Sequence, residues 1–423
     1  MEMTYQYAGL PDPKKVGMDV TGCSARLHRL AYVEERLMFL QAVHIVTSPE
    51  RDLKGLLSRL QYEDGGHSTQ LKIRLTEMRV AKNKAYKAPD DRLKLVFDEA
   101  MFSSSSIELL AALVTVFKPA LLEAYRRYLA DTNGLADYPS VSIIRRIVAE
   151  EQEGLHLLQQ AYQDIVDTPE KAAQASDWSH TLLSMLSSAG GVDGATATPV
   201  EAIQPARARQ PYQVARTPGR DETFPHIWDF EHSENSHVSE RLAQIVATRL
   251  GELTIAEALA IVLWEVKDQP WEFYSDLSRH MWDEMRHSLF GEAATEDILG
   301  DRSAMPMRDF EIDYLFKLSP IELYSLLGVG VEAGLMKYPP GKREEYEFCR
   351  DIARHPLMTI FQDFDWADEV LHVNIARQRL KEWYRGNQDE LMELAQKGLE
   401  FRSQTRNQGS ASPLPEIHWG PER

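Results

Sequence analysis

Apolar residues recur three and four positions apart through long stretches of this chain, and no convincing run of alternating β-branched residues interrupts them. That period belongs to the α-helix, so the expected fold class is all-α. Leu27, Leu30, Ala31, Leu37, Met38 and Ile45 mark the inner face of a first helix over about 24–47. Ser48 and Pro49 read as N-cap and first-turn proline of a second, running to about 85. A third over about 106–131 ends before Asn133-Gly134, and a fourth over about 140–166 ends before Pro169. The layout is four helices with one long crossover between the second and third.

Residues 187–226 break this pattern, with Gly190-Gly191 and five scattered prolines in a stretch without apolar period, as expected of a linker or a wrapping arm. Helical pattern resumes near 234 and repeats the layout over about 252–268, 271–298, 319–337 and 356–385. The segment Leu57–Ser68 aligns without gaps on Leu277–Ser288, sharing Leu, Ser, Arg and the final His-Ser, and Ser106-Ile107-Glu108-Leu109 resembles Pro320-Ile321-Glu322-Leu323. Tandem duplication of a four-helix bundle is the economical explanation. The expected organisation is a bundle over 1–186, the linker over 187–226, a second bundle over 227–402 and a flexible tail over 403–423.

Composition narrows the function. The net charge of −18 opposes a nucleic-acid or anionic-membrane partner and leaves carboxylates to spare for cations. Two cysteines, Cys23 and Cys349, exclude a disulfide framework or a Cys-rich metal site. No stretch approaches the ~18 apolar residues of a membrane span, and the N-terminus lacks a signal-peptide pattern, so the expected location is the cytoplasm. Neither a glycine-rich phosphate loop nor a Gly-x-Ser-x-Gly signature is present.

Glu284-x-x-His287 and Glu369-x-x-His372 each lie mid-helix, where three-residue spacing puts both side chains on one face, a turn apart. A di-metal carboxylate site needs such a motif from each of two helices and a single Glu from each of two others. Glu284 lies fourteen residues after Pro270 and Glu257 thirteen before it, at matching depth among apolar neighbours, while Glu265 falls near the turn. On the third helix Glu322 reads as part of a capping box with Ser319, which leaves mid-helix Glu332 as the inward carboxylate. The expected ligands are Glu257, Glu284, His287, Glu332, Glu369 and His372. His280, with most other histidines, fits no such pattern.

This set resembles the ferritin-like di-iron carboxylate superfamily. The resemblance covers the helical order of the second half, and Asp283-Glu284-x-Arg286-His287 is similar to the motif of the oxygen-activating branch, which holds di-iron monooxygenases and arylamine N-oxygenases. It implies that Asp283 and Asp368 accept from the histidine N–H groups; solvated acids on the helix flank are the alternative. In the first half Asp64-x-x-His67, Glu153-x-x-His156, Glu34 and Glu123 assemble a weaker version, with Glu35 and Glu108 as competitors and Lys118 aligned opposite Glu332. That half is either a second, altered metal site or a retained scaffold.

The expected function is an O2-dependent non-haem oxidoreductase with two irons, or iron and manganese, that hydroxylates, N-oxygenates or desaturates a small organic molecule. An electron-donor protein and a homodimer are the compatible protein partners. The alternatives are a ferritin-like iron-binding or peroxide-scavenging protein without organic substrate, and a metal-free scaffold.

Overall fold

The structure, a computed structural model, describes residues 6–196, 204–232, 237–386 and 388–419. Residues 197–203 of the expected linker and 420–423 of the expected tail lie outside the described residues. The chain is all-α: among the described residues only four two-residue strands accompany the helices. Among them no helix is long and apolar enough to cross a membrane. Two compact units emerge, Met1–His44 with Arg59–Gln213 and Ile45–Ser58 with Val214–Arg423. The first helical turn region, residues 45–58, thus belongs with the second half, where the buried Lys54 ammonium donates to the Ile45 carbonyl (2.6 Å) and to Glu257 (2.6 Å).

The first unit holds most of α1 (Val20–Thr47) and α2 (Arg51–Glu77) and, after the short helices Lys82–Ala85 and Asp91–Ala100, α3 (Ser106–Ala111), α4 (Lys118–Asp131), α5 (Tyr138–Ile165) and α6 (Pro169–Ser188). Leu27, Leu30, Ala31, Leu37 and Met38 expose no surface, so the apolar stripe of α1 does face the core. The second helix stops well short of 85 because Arg79 turns into the left-handed region, at φ 69°. Pro169, which closes α5, also opens α6: Thr168 accepts from the Lys171 amide, and Trp178 and Leu182 bury the new helix. A π-helical turn, Ala112–Phe117, joins α3 to α4.

The second unit runs α7 (Val238–Gly251), α8 (Leu253–Glu265), α9 (Trp271–Leu299), a short helix at Phe310–Leu315, α10 (Pro320–Ser325), α11 (Glu332–Leu335), α12 (Lys342–Glu347), α13 (Pro356–Trp383) and α14 (Gln388–Arg406). The expected capping box opens α10, with Ser319 and Glu322 bonded reciprocally. A second π-helical turn, Leu326–Val331, joins α10 to α11. Gly328 within it is dictated by packing, since a Cβ there would stand 2.1 Å from that of Ala376 on α13. Residues 403–419 are tied down rather than loose. Ala411–Ser412 pairs in parallel with Asp229–Phe230, Ile417 is buried, and the Trp419 indole donates to the Ala353 carbonyl (2.8 Å). Trp419 also stacks on His355, whose ring accepts from the Met358 amide and caps α13.

Candidate metal centre

Two helices of the second unit carry the same spacing of polar side chains: His280, Glu284 and His287 on α9, and Asp365, Glu369 and His372 on α13. Offsets of four and three residues keep each trio on one helical face. The helices exchange their third member. Cluster A gathers His280 and Glu284 from α9, His372 from α13, and Glu332 from the start of α11. Cluster B gathers Asp365 and Glu369 from α13, His287 from α9, and Glu252 from the junction of α7 and α8. Within each cluster one ligand-type atom per residue lies within 4.8 Å of all the others. The clusters adjoin, with the His287 and His372 rings 5.9 Å apart.

The histidines are held from behind. His287 Nε2 lies 3.3 Å from Asp368, and His372 Nε2 lies 3.3 Å from Asp283. Both Nδ1 atoms therefore face inward, that of His287 towards Glu252 and Asp365 (3.4 Å each) and that of His372 towards Glu284 (3.3 Å). Asp283 and Asp368 are in turn fixed by Arg279 and Arg286. This is the arrangement by which a protein sets ring orientation at a metal.

Burial alone would push the His280 imidazolium down, but the Glu332 and Glu284 carboxylates outweigh it and hold the ring up at about 10. Burial likewise opposes the charged form of His287, which Asp365, Asp368 and Glu252 nonetheless hold well above the usual imidazole range. Burial pushes Glu369 up to about 7, against the pull of Lys342. Asp365 resists its own burial because Arg249 and Lys342 hold it down at about 2. Without an ion, these protein cations carry the positive charge that the carboxylates require.

Several inward atoms still lack a hydrogen-bond partner among the described residues: both oxygens of Glu332, Glu369 Oε2, Glu252 Oε2, both nitrogens of His280, and Nδ1 of His287 and His372. Orphaned buried donors and acceptors are costly. Here they converge, and imidazole with carboxylate is a donor set that suits iron or manganese. Each cluster therefore offers the residues that could hold a metal ion.

Of the six expected ligands in this half, Glu284, Glu332 and His372 share cluster A, while His287 and Glu369 share cluster B. Glu257 does not join them. Its buried carboxylate pairs with Lys54 (2.6 Å) and Arg220 (2.7 Å), which already supply its countercharge. Glu252, one and a half turns earlier, takes the role expected of it. His280 and Asp365 were missed, although each stands four residues before a recognised Glu, as the other does.

In the first unit, Glu34, Asp64 and His67 do converge, with Glu151 as the fourth member. Glu153 instead pairs at the surface with Arg59, His156 is exposed, and Glu123 is exposed beside Arg127. The α5 carboxylate that points inward lies two positions earlier, on the opposite side of the helix from the motif. Lys118 enters this cluster directly after the π-helical turn and pairs with Asp64 (2.7 Å) and Glu151 (2.8 Å). Glu332 follows its own π-helical turn in the second unit. Tyr125 donates to Glu34 (2.5 Å) and His67 reaches Glu150 (2.7 Å), so Glu151 Oε2 alone among the ligand-type atoms of this cluster lacks a partner. No protein-family model, curated protein or solved structure matches this chain.

Proposed function

We propose that the second unit binds two transition-metal ions, iron or iron with manganese, one in each cluster, and acts as an O2-dependent oxidoreductase on a small organic substrate. The observation that carries this reading is the convergence of partnerless buried nitrogen and oxygen atoms in two adjoining clusters. Such ions would supply the electrons and open coordination positions that O2 reduction requires. Asp283 and Asp368 orient the His372 and His287 rings, and Arg279 and Arg286 hold those aspartates in place. Glu332 and Glu369 are buried with a free oxygen each, able to change from one-oxygen to two-oxygen contact without breaking a protein hydrogen bond.

The chain is further read as a duplicated ferritin-like bundle. The aligned segments Leu57–Ser68 and Leu277–Ser288, and a π-helical turn directly before both Lys118 and Glu332, support that reading. Elemental analysis of protein from metal-replete cells tests the function. About two transition-metal ions per chain, with O2 consumption on addition of a reductant, are expected. No bound metal would sink the proposal, and iron accumulating far beyond two ions would favour an iron store.

A further inference from the structure

Cluster B already contains a cation. The Lys342 side chain is fully buried, and its Nζ lies 2.9 Å from Asp365, 3.0 Å from Glu369 and 3.5 Å from Glu252. These are three of the four groups that would hold an ion, and the fourth, His287 Nδ1, points at Asp365 and Glu252 without a hydrogen-bond partner. The ammonium therefore stands in the volume that a metal ion would fill. Two positive centres cannot share it: their mutual repulsion grows as the first power of inverse distance in a site shielded from water. Among the described residues cluster A has no lysine within ion-pair distance; between Glu284 and Glu332 stands the His280 ring, itself a ligand-type group that keeps its place when it binds an ion.

Lys342 lies at the head of a short helix beside a cavity. It opens the short helix α12 directly after Gly341, whose φ of 156° lies at the edge of the region that other residues avoid. A cavity of about 280 Å³ borders this segment, lined by Gly334, Leu335, Pro340, Gly341, Glu344 and Glu345. Both carboxylates there already have partners, Glu344 with Arg241 and Glu345 with Gln362 (3.0 Å), so an ammonium leaving the cluster gains no ready-made ion pair on this side.

We propose that Lys342 is a built-in occupant of cluster B which a divalent ion must expel, so that the second unit loads in order: cluster A first, and cluster B only with Lys342 displaced. This rests on the metal-binding reading above and adds to it the residue that sets how many ions are bound. With Lys342 in place the unit is a one-ion site; with Lys342 out, it is a two-ion site.

The test is an anaerobic Mn2+ titration of the full, chelator-stripped chain, wild type against Lys342→Met, followed by calorimetry and by amide hydrogen exchange over residues 341–352. Wild type should bind a first ion about tenfold or more tightly than a second, and exchange over 341–352 should rise only with the second. In Lys342→Met the second ion should tighten by about tenfold, and Mn2+ should raise the melting temperature more than in wild type. Two ions bound equally by wild type, with unchanged exchange and no effect of the substitution, would overturn the lysine proposal and leave the metal reading standing. No Mn2+ bound by either protein would overturn both. Should the variant fail to fold, the wild-type exchange step alone decides.

Discussion

Each of the two units gathers buried carboxylates and histidines, yet the first-unit cluster is largely satisfied by its own partners while the second keeps many ligand-type atoms without a hydrogen bond. In the first unit Lys118 follows the π-helical turn and neutralises Asp64 and Glu151, while Tyr125 and Glu150 satisfy Glu34 and His67. In the second, Glu332 also follows a π-helical turn, and neither of its oxygens has a hydrogen bond, although one lies 3.0 Å from His280 Nε2. Where the first unit has a lysine the second has Glu332, and among the described residues cluster A, unlike the first-unit cluster, has no lysine paired with its carboxylates. The lesson is that ligand-type residues alone do not make a metal site; what matters is whether the protein has already supplied their countercharge.

The largest test of this contrast is a comparison of histidines. Replacing His287 and His372 together by Ala should remove metal from the second unit and abolish O2 consumption with helicity retained, whereas His67→Ala should leave most of both intact. Metal analysis and an oxygen electrode report the outcome, and equal damage from His67→Ala in a folded protein would end the asymmetric reading. Next in size, Lys118→Glu gives the first unit the carboxylate of the second. Losing the cation from a buried cluster should destabilise the metal-free protein by about 3–5 kcal/mol, and Mn2+ should return part of it by binding about one additional ion, as chemical denaturation with and without the metal would show.

A smaller contrast lies within one helix run. Glu332→Ala should lower metal occupancy sharply, but Glu322→Ala should cost only about 0.5–2 kcal/mol of capping and spare the metal. The reverse ranking by elemental analysis would return the ligand role to the helix head. Smallest is a pH effect at the two helix heads. Burial would raise Glu108, but Arg207 and Ser104 hold it down at about 2, against an ordinary value of 4.5. A lowered folded value stabilises the protein fully above about 4.5, and the benefit is lost as pH falls towards 2. The melting-temperature gap between wild type and Glu108→Gln should therefore shrink on acidification from pH 6 to pH 3, and should exceed that for the half-buried Glu322→Gln at every pH.

The helices were legible because apolar spacing of three and four reports a buried stripe, as the α1 residues show. Glu284, His287, Glu369 and His372 were legible for the same reason, since a shared face can be read from spacing alone. What sequence could not supply was countercharge from distant segments. Glu257 has the depth and apolar flanks of a ligand, and only the fold brings Lys54 and Arg220 against it. Glu252 was hidden at a helix junction, where counting back from Pro270 along one continuous helix gives the wrong depth. His280 and Asp365 did carry a signal, the repeated offset of four then three on both helices, visible once the two trios are set side by side. Lys342 had none: the stretch before α12 has no apolar period to place it.

The exchange of third members between α9 and α13 has a mechanical consequence. Neither cluster can be enlarged, tightened or re-aimed alone, because a displacement of one helix along the other by a single residue, about 1.5 Å, withdraws His372 from one cluster and Asp365 and Glu369 from the other in the same stroke. Tuning therefore has to come from outside the pair, through Glu252, Glu332 and Lys342. These are the three positions where the two clusters can diverge while their common frame stays rigid.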